Sequence, residues 1–308
     1  MELLFVRGKK RNVGEGPVRS LTHCDSVVGD GFLWRTGKSD RRARGRLFLQ
    51  SVMMMWKDRY SHCFLSLIGN EGCSRRLGDY MLRNMSMSNE TSIFITDAQR
   101  KALLQSIFST FYADAPKGDV AFDTNRNWCA RLPLLTELFP RAKVICCVRD
   151  VPWILDSVER LIRKNKFQPS GIFNFEPGGT VYSRVDGLAG PGGMVGFAWN
   201  ALREAFCGEQ TSCLLALTYE TLTSRPQQAI AAVYDIIGEK PFAHDFENIE
   251  FDAEEFDRRL GTPGLHKVGR RVESSGRKTV LPGDLWRKYE NDAFWRDPAR
   301  NPNQVRVI

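Results

Sequence analysis

Residues 143–148 (KVICCV) are the most informative stretch of the sequence, and Arg149 and Asp150 follow them directly. An apolar run of this length without interruption is typical of a parallel strand that is buried on both faces. Asp150 is suited to the N-cap of a helix, and Pro152 suits the first turn, where its missing N–H group does no harm. The sequence therefore predicts a strand that leads directly into a helix, with Arg149 at the junction.

The same alternation of strands and helices continues on both sides of this junction. Apolar spacing predicts, in chain order, a helix capped by Asp97, a strand at 120–122, a helix at 128–139, a strand at 214–218 and a helix that ends at Gly238. Residues 168–193 are predicted to form a long surface loop, and residues 261–308 to wrap the edge of the sheet. This order predicts an α/β fold in which helices flank a parallel sheet.

The positive charge of the chain is concentrated near its start. The 308 residues carry a formal net charge of +8, which indicates an anionic partner such as nucleic acid, a membrane surface or a phosphorylated small molecule. Residues 1–80 contain 15 Lys and Arg against 8 Asp and Glu, so they account for +7 of that charge. We therefore expect a basic N-terminal segment at 1–85, irregular except for a first strand at 3–6, and an α/β domain at 86–308.

Apolar runs, cysteines and histidines indicate whether a chain enters a membrane, which compartment it occupies and whether it binds a metal. The sequence contains no run of 18 apolar residues, so no membrane-spanning helix and no membrane partner are expected. Its eight cysteines form no CxxC pair and it has only four histidines, so no metal site is predicted. Free thiols and the lack of a signal-peptide pattern predict a cytoplasmic protein.

The junction after residue 148 is the strongest candidate for a binding site. Ligands of open α/β sheets bind at the carboxyl ends of the strands, and the start of a helix attracts anions. Arg149 at this end and Ser157, two helical turns further on, could hold one phosphate between them. The alternative is structural: Arg149 pairs with Asp150 on the surface, and Ser157 lies on a solvated helix face.

The wider pattern resembles the sulfotransferases that use 3′-phosphoadenosine 5′-phosphosulfate as donor, in particular a bacterial, cytosolic branch that is distantly similar to tyrosyl-protein sulfotransferases. The resemblance covers roughly residues 90–308. Its motifs are FDTNR at 122–126, LFPRAKVI at 138–145, VRD at 148–150 with Ser157, LTYETL at 217–222, RP at 225–226, LHKV at 265–268 and TVLPGDL at 279–285. It implies a three-layer parallel sheet flanked by helices, of the P-loop NTPase-like sulfotransferase kind.

The resemblance also implies roles for particular residues in binding the donor. Arg149 and Ser157 match the grip on its 3′-phosphate, and Tyr219 matches a residue near the adenine. Arg277 and Lys278 lie where the family closes a basic loop over the 3′-phosphate. Each has a structural alternative, because Tyr219 also suits a core position at a strand end and residues 277–278 also suit a solvated basic pair.

Catalysis is implied for the residues after the strand at 120–122. Arg126 stays protonated, so it cannot be a base, but it could stabilise charge on the transferring sulfuryl group. Asp123 is the nearest carboxylate and the candidate base; its alternative is a turn or cap residue. The family mechanism is an in-line displacement in which an acceptor hydroxyl attacks sulfur, and it needs no metal.

The first residues depart from the family pattern. The usual loop that holds the 5′-phosphosulfate is rich in glycine and serine, whereas residues 7–15 read RGKKRNVGE. Gly8 and Arg11 occupy the places of a loop glycine and arginine, but Val13 replaces a glycine and Glu15 carries the wrong charge. We therefore hypothesise that residues from about 7 to about 80 come from a frameshifted reading of the gene. Translation of the coding DNA in the other two frames tests this idea.

Three functions follow from these observations. The first is a sulfotransferase that acts on a small-molecule, sugar or peptide hydroxyl. The second is a catalytically impaired relative that retains, at most, binding of adenosine bisphosphate. The third is a nucleic-acid-binding protein with a basic N-terminal arm; this reading is disfavoured because residues 81–308 carry a net charge of only +1.

Overall fold

The computed structural model describes these residues: 2–7, 95–111, 120–124, 127–167, 179–249, 254–259, 263–264, 267, 269–274 and 276–308. They belong to two compact units. The first unit holds residues 2–5 and the described residues from 123 onward, and the second holds residues 6–7, 95–111 and 120–122. The predicted domain boundary near residue 85 lies outside the described residues and stays a prediction, as does the frameshift at 7–80.

The strands are β1 (Glu2–Arg7), β2 (Val120–Thr124), β3 (Lys143–Val148), β4 (Leu214–Thr218) and β5 (Arg306–Val307). In the first unit, β3 lies between β1 and β4, and β5 lies on the far side of β4. β3, β4 and β5 are parallel, with Val144 opposite Leu214 and Val148 opposite Thr218. The bodies of β3 and β4 are buried, as their apolar composition predicts. An α/β fold with a parallel sheet is therefore confirmed for these three strands.

The first strand runs in the opposite direction. β1 covers the predicted strand at 3–6, but it pairs antiparallel with β3, with Glu2 opposite Cys146 and Phe5 opposite Lys143. The prediction of a wholly parallel sheet is wrong for this strand. An apolar segment can pair in either direction, because strand direction is set by the path of the connecting chain rather than by the side chains.

Among the described residues the helices are α1 (Asp97–Phe111), α2 (Leu132–Leu138), α3 (Val151–Lys164), α4 (Val181–Ala189), α5 (Met194–Cys207), α6 (Tyr219–Ser224), α7 (Pro226–Ile237), α8 (Glu254–Arg259) and α9 (Gly283–Tyr289). The helix predicted at 128–139 forms as a 3₁₀ turn at Cys129–Arg131 followed by α2. α7 ends as predicted, because Gly238 has a φ of 69° and glycine adopts this left-handed conformation without strain. None of the helices in the described part of the chain is both long and apolar enough to cross a membrane.

The start of α1, in the second unit, is capped by Thr96 rather than by Asp97. The Thr96 hydroxyl accepts a hydrogen bond from the backbone N–H of Gln99, and the Gln99 side chain accepts one from the backbone N–H of Thr96. This reciprocal pair is a capping box, so the prediction of an Asp97 cap is wrong by one residue.

The loop predicted at 168–193 is interrupted by α4. Thr180 caps this helix by accepting a hydrogen bond from the backbone N–H of Ser183. The helix buries two of its own side chains, Val185 and Leu188. Nearby glycines obscured the helical spacing in the sequence. One of them, Gly196, permits close packing, because a Cβ atom there would lie 2.1 Å from a backbone oxygen at the end of α4.

Residues 306–308 complete one edge of the sheet, and for these residues the predicted wrapping of the sheet edge by residues 261–308 is confirmed. The backbone N–H of Thr218 donates to the carbonyl oxygen of Ile308 at 2.7 Å, and the N–H of Ile308 donates to the carbonyl of Ala216 at 2.9 Å. β5 was not predicted, because two residues are too short to show a strand pattern. β3 and β4 are thus held between strands on both sides, and their carboxyl ends lie next to each other.

Candidate functional site

Arg149 and Tyr219 lie side by side because they follow neighbouring parallel strands. Val148 and Thr218 are paired as the last residues of β3 and β4, and the next residue in each chain segment enters this site. The guanidinium carbon of Arg149 lies 3.8 Å from the centre of the Tyr219 ring, which is stacking distance. The Arg149 side chain is buried, with 9 % of the residue exposed.

A second arginine reaches the same place from the C-terminal part of the chain. The guanidinium carbons of Arg149 and Arg277 lie 5.7 Å and 5.6 Å from the centre of the Trp153 ring, on the first turn of α3. Burial lowers the pKa of Arg149, and the positive charge of Arg277 lowers this pKa further, against the opposing effect of Tyr219. Two like charges therefore meet at one tryptophan.

Ser157 joins these side chains through its hydroxyl group. Its Oγ accepts a hydrogen bond from Nη2 of Arg277 and donates one to the carbonyl oxygen of Trp153 at 3.0 Å. We call the group formed by Arg149, Trp153, Ser157, Tyr219 and Arg277 the two-arginine cluster. Four of its five members were predicted from the sequence as donor-binding residues; the structure brings them together, and their role stays a prediction.

The two-arginine cluster contains hydrogen-bond donors that the described residues leave unpaired. Nε and Nη1 of Arg149 and Nε of Arg277 are buried, and none of them has an acceptor in the part of the chain that the structure describes. Buried polar groups are nearly always paired, and an unpaired buried donor costs about 1–3 kcal/mol. An anion with several oxygens would satisfy these donors and separate the two positive charges.

The side chains of the cluster are suited to binding rather than to proton transfer. Arginine stays protonated in proteins, and the Ser157 hydroxyl already bridges two partners. A phosphate or sulfate group is the ligand that two guanidinium groups and a hydroxyl recognise best. The cluster is therefore a candidate oxyanion-binding site at the carboxyl edge of the sheet, where α/β proteins bind ligands.

Lys278 differs from its neighbour Arg277. Its side chain is exposed, and its backbone carbonyl oxygen accepts a hydrogen bond from Nη2 of Arg160. None of the contacts that the structure gives for Lys278 joins its ammonium group to the two-arginine cluster.

The predicted catalytic residues are described only in part. Asp123 is half-buried on β2, and its Oδ1 accepts a hydrogen bond from Nε1 of Trp128 at 3.2 Å. Its backbone lies within the strand and not in a turn. Arg126, Gly8 and Arg11 lie outside the described residues.

Asp150 does not cap α3 with its side chain, although it occupies the N-cap position. Its Oδ1 instead lies 2.8 Å from Nη2 of Arg296, which also lies 3.4 Å from Glu220. The predicted surface pair between Arg149 and Asp150 is therefore replaced by a pair with a different arginine. This pairing leaves the guanidinium of Arg149 facing the aromatic rings.

Sequence reasoning missed two residues of α3 that shape the site. Trp153 lies within 6 Å of both guanidinium groups, and the fully buried Asp156 forms an ion pair with Arg277 at 2.9 Å. A signal was present, because Asp156, Arg160 and Arg163 recur at helical spacing (i, i+4, i+7) on a helix whose other face is apolar.

The described residues contain no group of three His, Cys, Asp or Glu side chains that could hold a metal ion. No protein-family model matches the sequence, and no curated protein or solved structure matches it either.

Proposed function

We propose that the chain is a sulfotransferase, which moves the sulfuryl group of 3′-phosphoadenosine 5′-phosphosulfate to the hydroxyl of a small molecule, sugar or peptide. The observation that carries this proposal is the two-arginine cluster, at the carboxyl end of a parallel strand, in which buried guanidinium donors without an acceptor among the described residues lie beside a serine hydroxyl. The 3′-phosphate of the donor supplies the oxygens that these groups lack. The sequence motifs at 138–150 and 217–226 supply the link to this donor.

The proposed roles follow from the contacts. Arg149 and Arg277 bind the 3′-phosphate from two sides, and Ser157 donates to it once its hydroxyl has turned away from the carbonyl oxygen of Trp153. Tyr219 acts first on Arg149, because the ring already stacks on that guanidinium and fixes its plane. Any contact of Tyr219 with the adenine is secondary, since one face of the ring is covered.

The chemical step in this proposal is an in-line displacement at sulfur. The acceptor oxygen forms a bond to sulfur as the bond to the leaving phosphate oxygen breaks, and the hydroxyl proton passes to a base. Asp123 is the proposed base, and Arg126 is proposed to stabilise negative charge on the sulfuryl oxygens. The surrounding fold is proposed to be a three-layer, P-loop NTPase-like arrangement.

A second candidate, a catalytically impaired relative that still binds adenosine bisphosphate, is favoured by the direction of β1. Phe5 pairs with Lys143 at the start of β3, whereas Arg149 lies beyond its end. β1 therefore carries the chain toward the opposite end of the sheet from the two-arginine cluster. A family phosphate loop would follow a parallel first strand and lie at the same end as Arg149.

Isothermal titration calorimetry with adenosine 3′,5′-bisphosphate tests the binding part of the proposal. The unsubstituted chain should bind, and Arg149→Ala should weaken binding by at least about a hundredfold, because charge-assisted hydrogen bonds are lost. Arg306→Ala is the matched control, since Arg306 lies on β5 and pairs with Asp235. Equal loss in both variants would contradict a site at the two-arginine cluster.

Transfer of labelled sulfate then separates the two candidates. Turnover with the labelled donor and a panel of hydroxyl acceptors supports the sulfotransferase, and binding without turnover supports the impaired relative. Salt-dependent binding to random DNA, with no bisphosphate binding, would overturn both in favour of a nucleic-acid-binding protein.

A further inference from the structure

The segment that brings Arg277 to the site lies across α3 and is held there mainly by polar contacts. We call residues 276–282 the C-terminal strap. Leu281 is its one buried residue, and the residues before it are exposed or half-buried, so apolar burial contributes little before Leu281. Its backbone carbonyls at 278 and 280 accept hydrogen bonds from Arg160 and Arg163 of α3.

Asp156 is the centre of these contacts. Its Oδ1 accepts hydrogen bonds from the backbone N–H of Val280 at 2.7 Å and from the hydroxyl of Thr279 at 3.1 Å. Its Oδ2 accepts from Nε of Arg160 at 3.0 Å and lies 2.9 Å from Nη2 of Arg277. One fully buried carboxylate thus binds three groups of the strap: the side chains at 277 and 279 and the backbone N–H at 280.

These contacts fix the position of the Arg277 guanidinium. Arginine side chains have many rotamers, and an arginine on an exposed segment would lose that freedom only on binding a ligand. Nη2 of Arg277 is instead held between Oδ2 of Asp156 and Oγ of Ser157, while its Nε stays buried and without an acceptor among the described residues. The guanidinium is therefore oriented before any anion arrives, which lowers the entropy cost of binding.

We propose that Asp156 is a positioning residue of the anion site, which holds the C-terminal strap against α3 and presents Arg277 to the 3′-phosphate. The inference rests on the proposed function, because it assigns Asp156 a part in the same site. Asp156 does not contact the ligand; it acts through Arg277 and through the backbone of the strap.

Asp156→Asn is the sharpest substitution. The amide oxygen can still accept from the backbone N–H of Val280, so the shape of the strap is largely kept, but the negative charge that holds Arg277 and Arg160 is gone. We expect affinity for adenosine 3′,5′-bisphosphate to fall about tenfold, the effect of one charge-assisted hydrogen bond. Affinity for adenosine 5′-phosphate, measured by competition, should stay the same because that ligand has no 3′-phosphate.

Glu159→Gln is the matched control. Glu159 is also buried on α3 and also pairs with arginines, Arg163 and Arg184. Arg163 reaches the strap at the carbonyl oxygen of Val280, but none of the described contacts of Glu159 involves Arg277, so this variant separates a general disturbance of the strap from the loss of the charge that holds Arg277. Its replacement should leave the ratio of the two affinities unchanged. In an Arg277→Ala background, Asp156→Asn should cause no further loss, because the two residues act through the same group.

If Asp156→Asn folds poorly, a second variant can be tested by hydrogen exchange, which needs no nucleotide. Thr279→Val removes one exposed strap contact to Asp156, and it should speed hydrogen exchange of the Val280 amide and lower bisphosphate affinity by a few-fold. An unchanged affinity ratio in Asp156→Asn, or unchanged exchange and affinity in Thr279→Val, would overturn the inference while the proposed function stands. Absence of bisphosphate binding by the unsubstituted chain would overturn both, and a rise in affinity would show that Asp156 competes with the ligand.

Discussion

The ends of β3 and β4 are neighbours, and each leads into a helix, but their polar groups differ in whether they find hydrogen-bond partners. At the end of β4, Oγ1 of Thr218 accepts a hydrogen bond from the backbone N–H of Thr221 at 3.2 Å and donates to its hydroxyl at 2.9 Å. At the end of β3, the side chain of Asp150 caps nothing, and Arg149 keeps buried donors without an acceptor among the described residues.

This difference separates a structural junction from a binding junction. At the β4 end, the side chain of Thr218 pairs with Thr221, so α6 begins there without help from a ligand. The β3 end is incomplete among the described residues, because Arg149 faces aromatic rings and a second positive charge there instead of hydrogen-bond acceptors. Polar residues at a strand end are thus informative only once their partners are known.

The largest effect is expected from Arg149→Met, which keeps the length of the side chain and removes its charge. Bisphosphate affinity should fall by about two orders of magnitude, whereas the free energy of unfolding should rise by about 1 kcal/mol, because a buried and incompletely paired charge is removed. Calorimetry and urea unfolding measure the two quantities. A clear fall in stability would show that the β3 end is self-satisfied, and the contrast with β4 would fail.

The bodies of the two strands, in contrast to their ends, should behave alike in alkali. Burial raises the pKa of the Cys147 thiol in β3, and burial raises the pKa of Cys213, just before β4, to about 11. The native state therefore keeps protons that the unfolded state loses near pH 8.5, so stability is full below that pH and falls above it. We expect a loss of about 1 kcal/mol per thiol between pH 8 and 9.5.

Urea unfolding at a series of pH values measures this decline. Cys213→Ala should remove about half of it, since one of the two thiols no longer binds a proton in the native state. A urea midpoint that stays constant from pH 8 to 9.5 would mean that both thiols are open to water, and half of the expected decline would mean that one of them is.

A smaller effect is expected at Tyr219, where the two strand ends touch. Tyr219→Leu removes the ring under the Arg149 guanidinium and should weaken bisphosphate binding about five- to tenfold, since a partly desolvated cation–π contact is lost. Tyr219→Phe keeps the ring and should bind nearly as well as the unsubstituted chain. If Phe and Leu are equally weak, the hydroxyl rather than the ring face serves the site.

The smallest effect is expected at the end of β4, and it should be confined to stability. Thr218→Val keeps the β-branched shape in β4 but removes the cap of α6, so the free energy of unfolding should fall by about 1 kcal/mol. Bisphosphate affinity should not change. A loss of affinity comparable to that of Tyr219→Leu would mean that the β4 end also belongs to the binding site.

The central part of the fold could be predicted from the sequence because its signals are local. The apolar runs 143–148 and 214–218 matched β3 and β4 to the residue, and Gly238 marked the end of α7. Arg149 and Ser157 were found for the same reason, since a strand end and a helical turn define their positions. The direction of β1 could not be predicted, because pairing direction depends on a long connection and not on the strand itself.

The rest of the site could not be predicted because it depends on distant pairing. Nothing near Asp156 in the sequence indicates that its partners are Arg277, Thr279 and Val280, more than 100 residues later. A buried aspartate on an amphipathic helix looks like a solvated one until the strap is in place. The match of Arg277 to the family's basic loop predicted that this residue belongs to the site, but it gave no reason for the orientation of the guanidinium.

The sequence separation of the strap has a consequence for the order of folding. Ser157 and Arg277 are 120 residues apart, and Asp156 and Val280 are 124 apart. During synthesis, β3, α3 and β4 are complete well before the strap leaves the ribosome, so β3 and β4 can pair before the strap brings Arg277 to Arg149. Closing so long a loop is slow relative to local helix formation. Nascent chains stalled near residue 260 should therefore resist proteolysis across β3 and β4 while lacking affinity for adenosine bisphosphate.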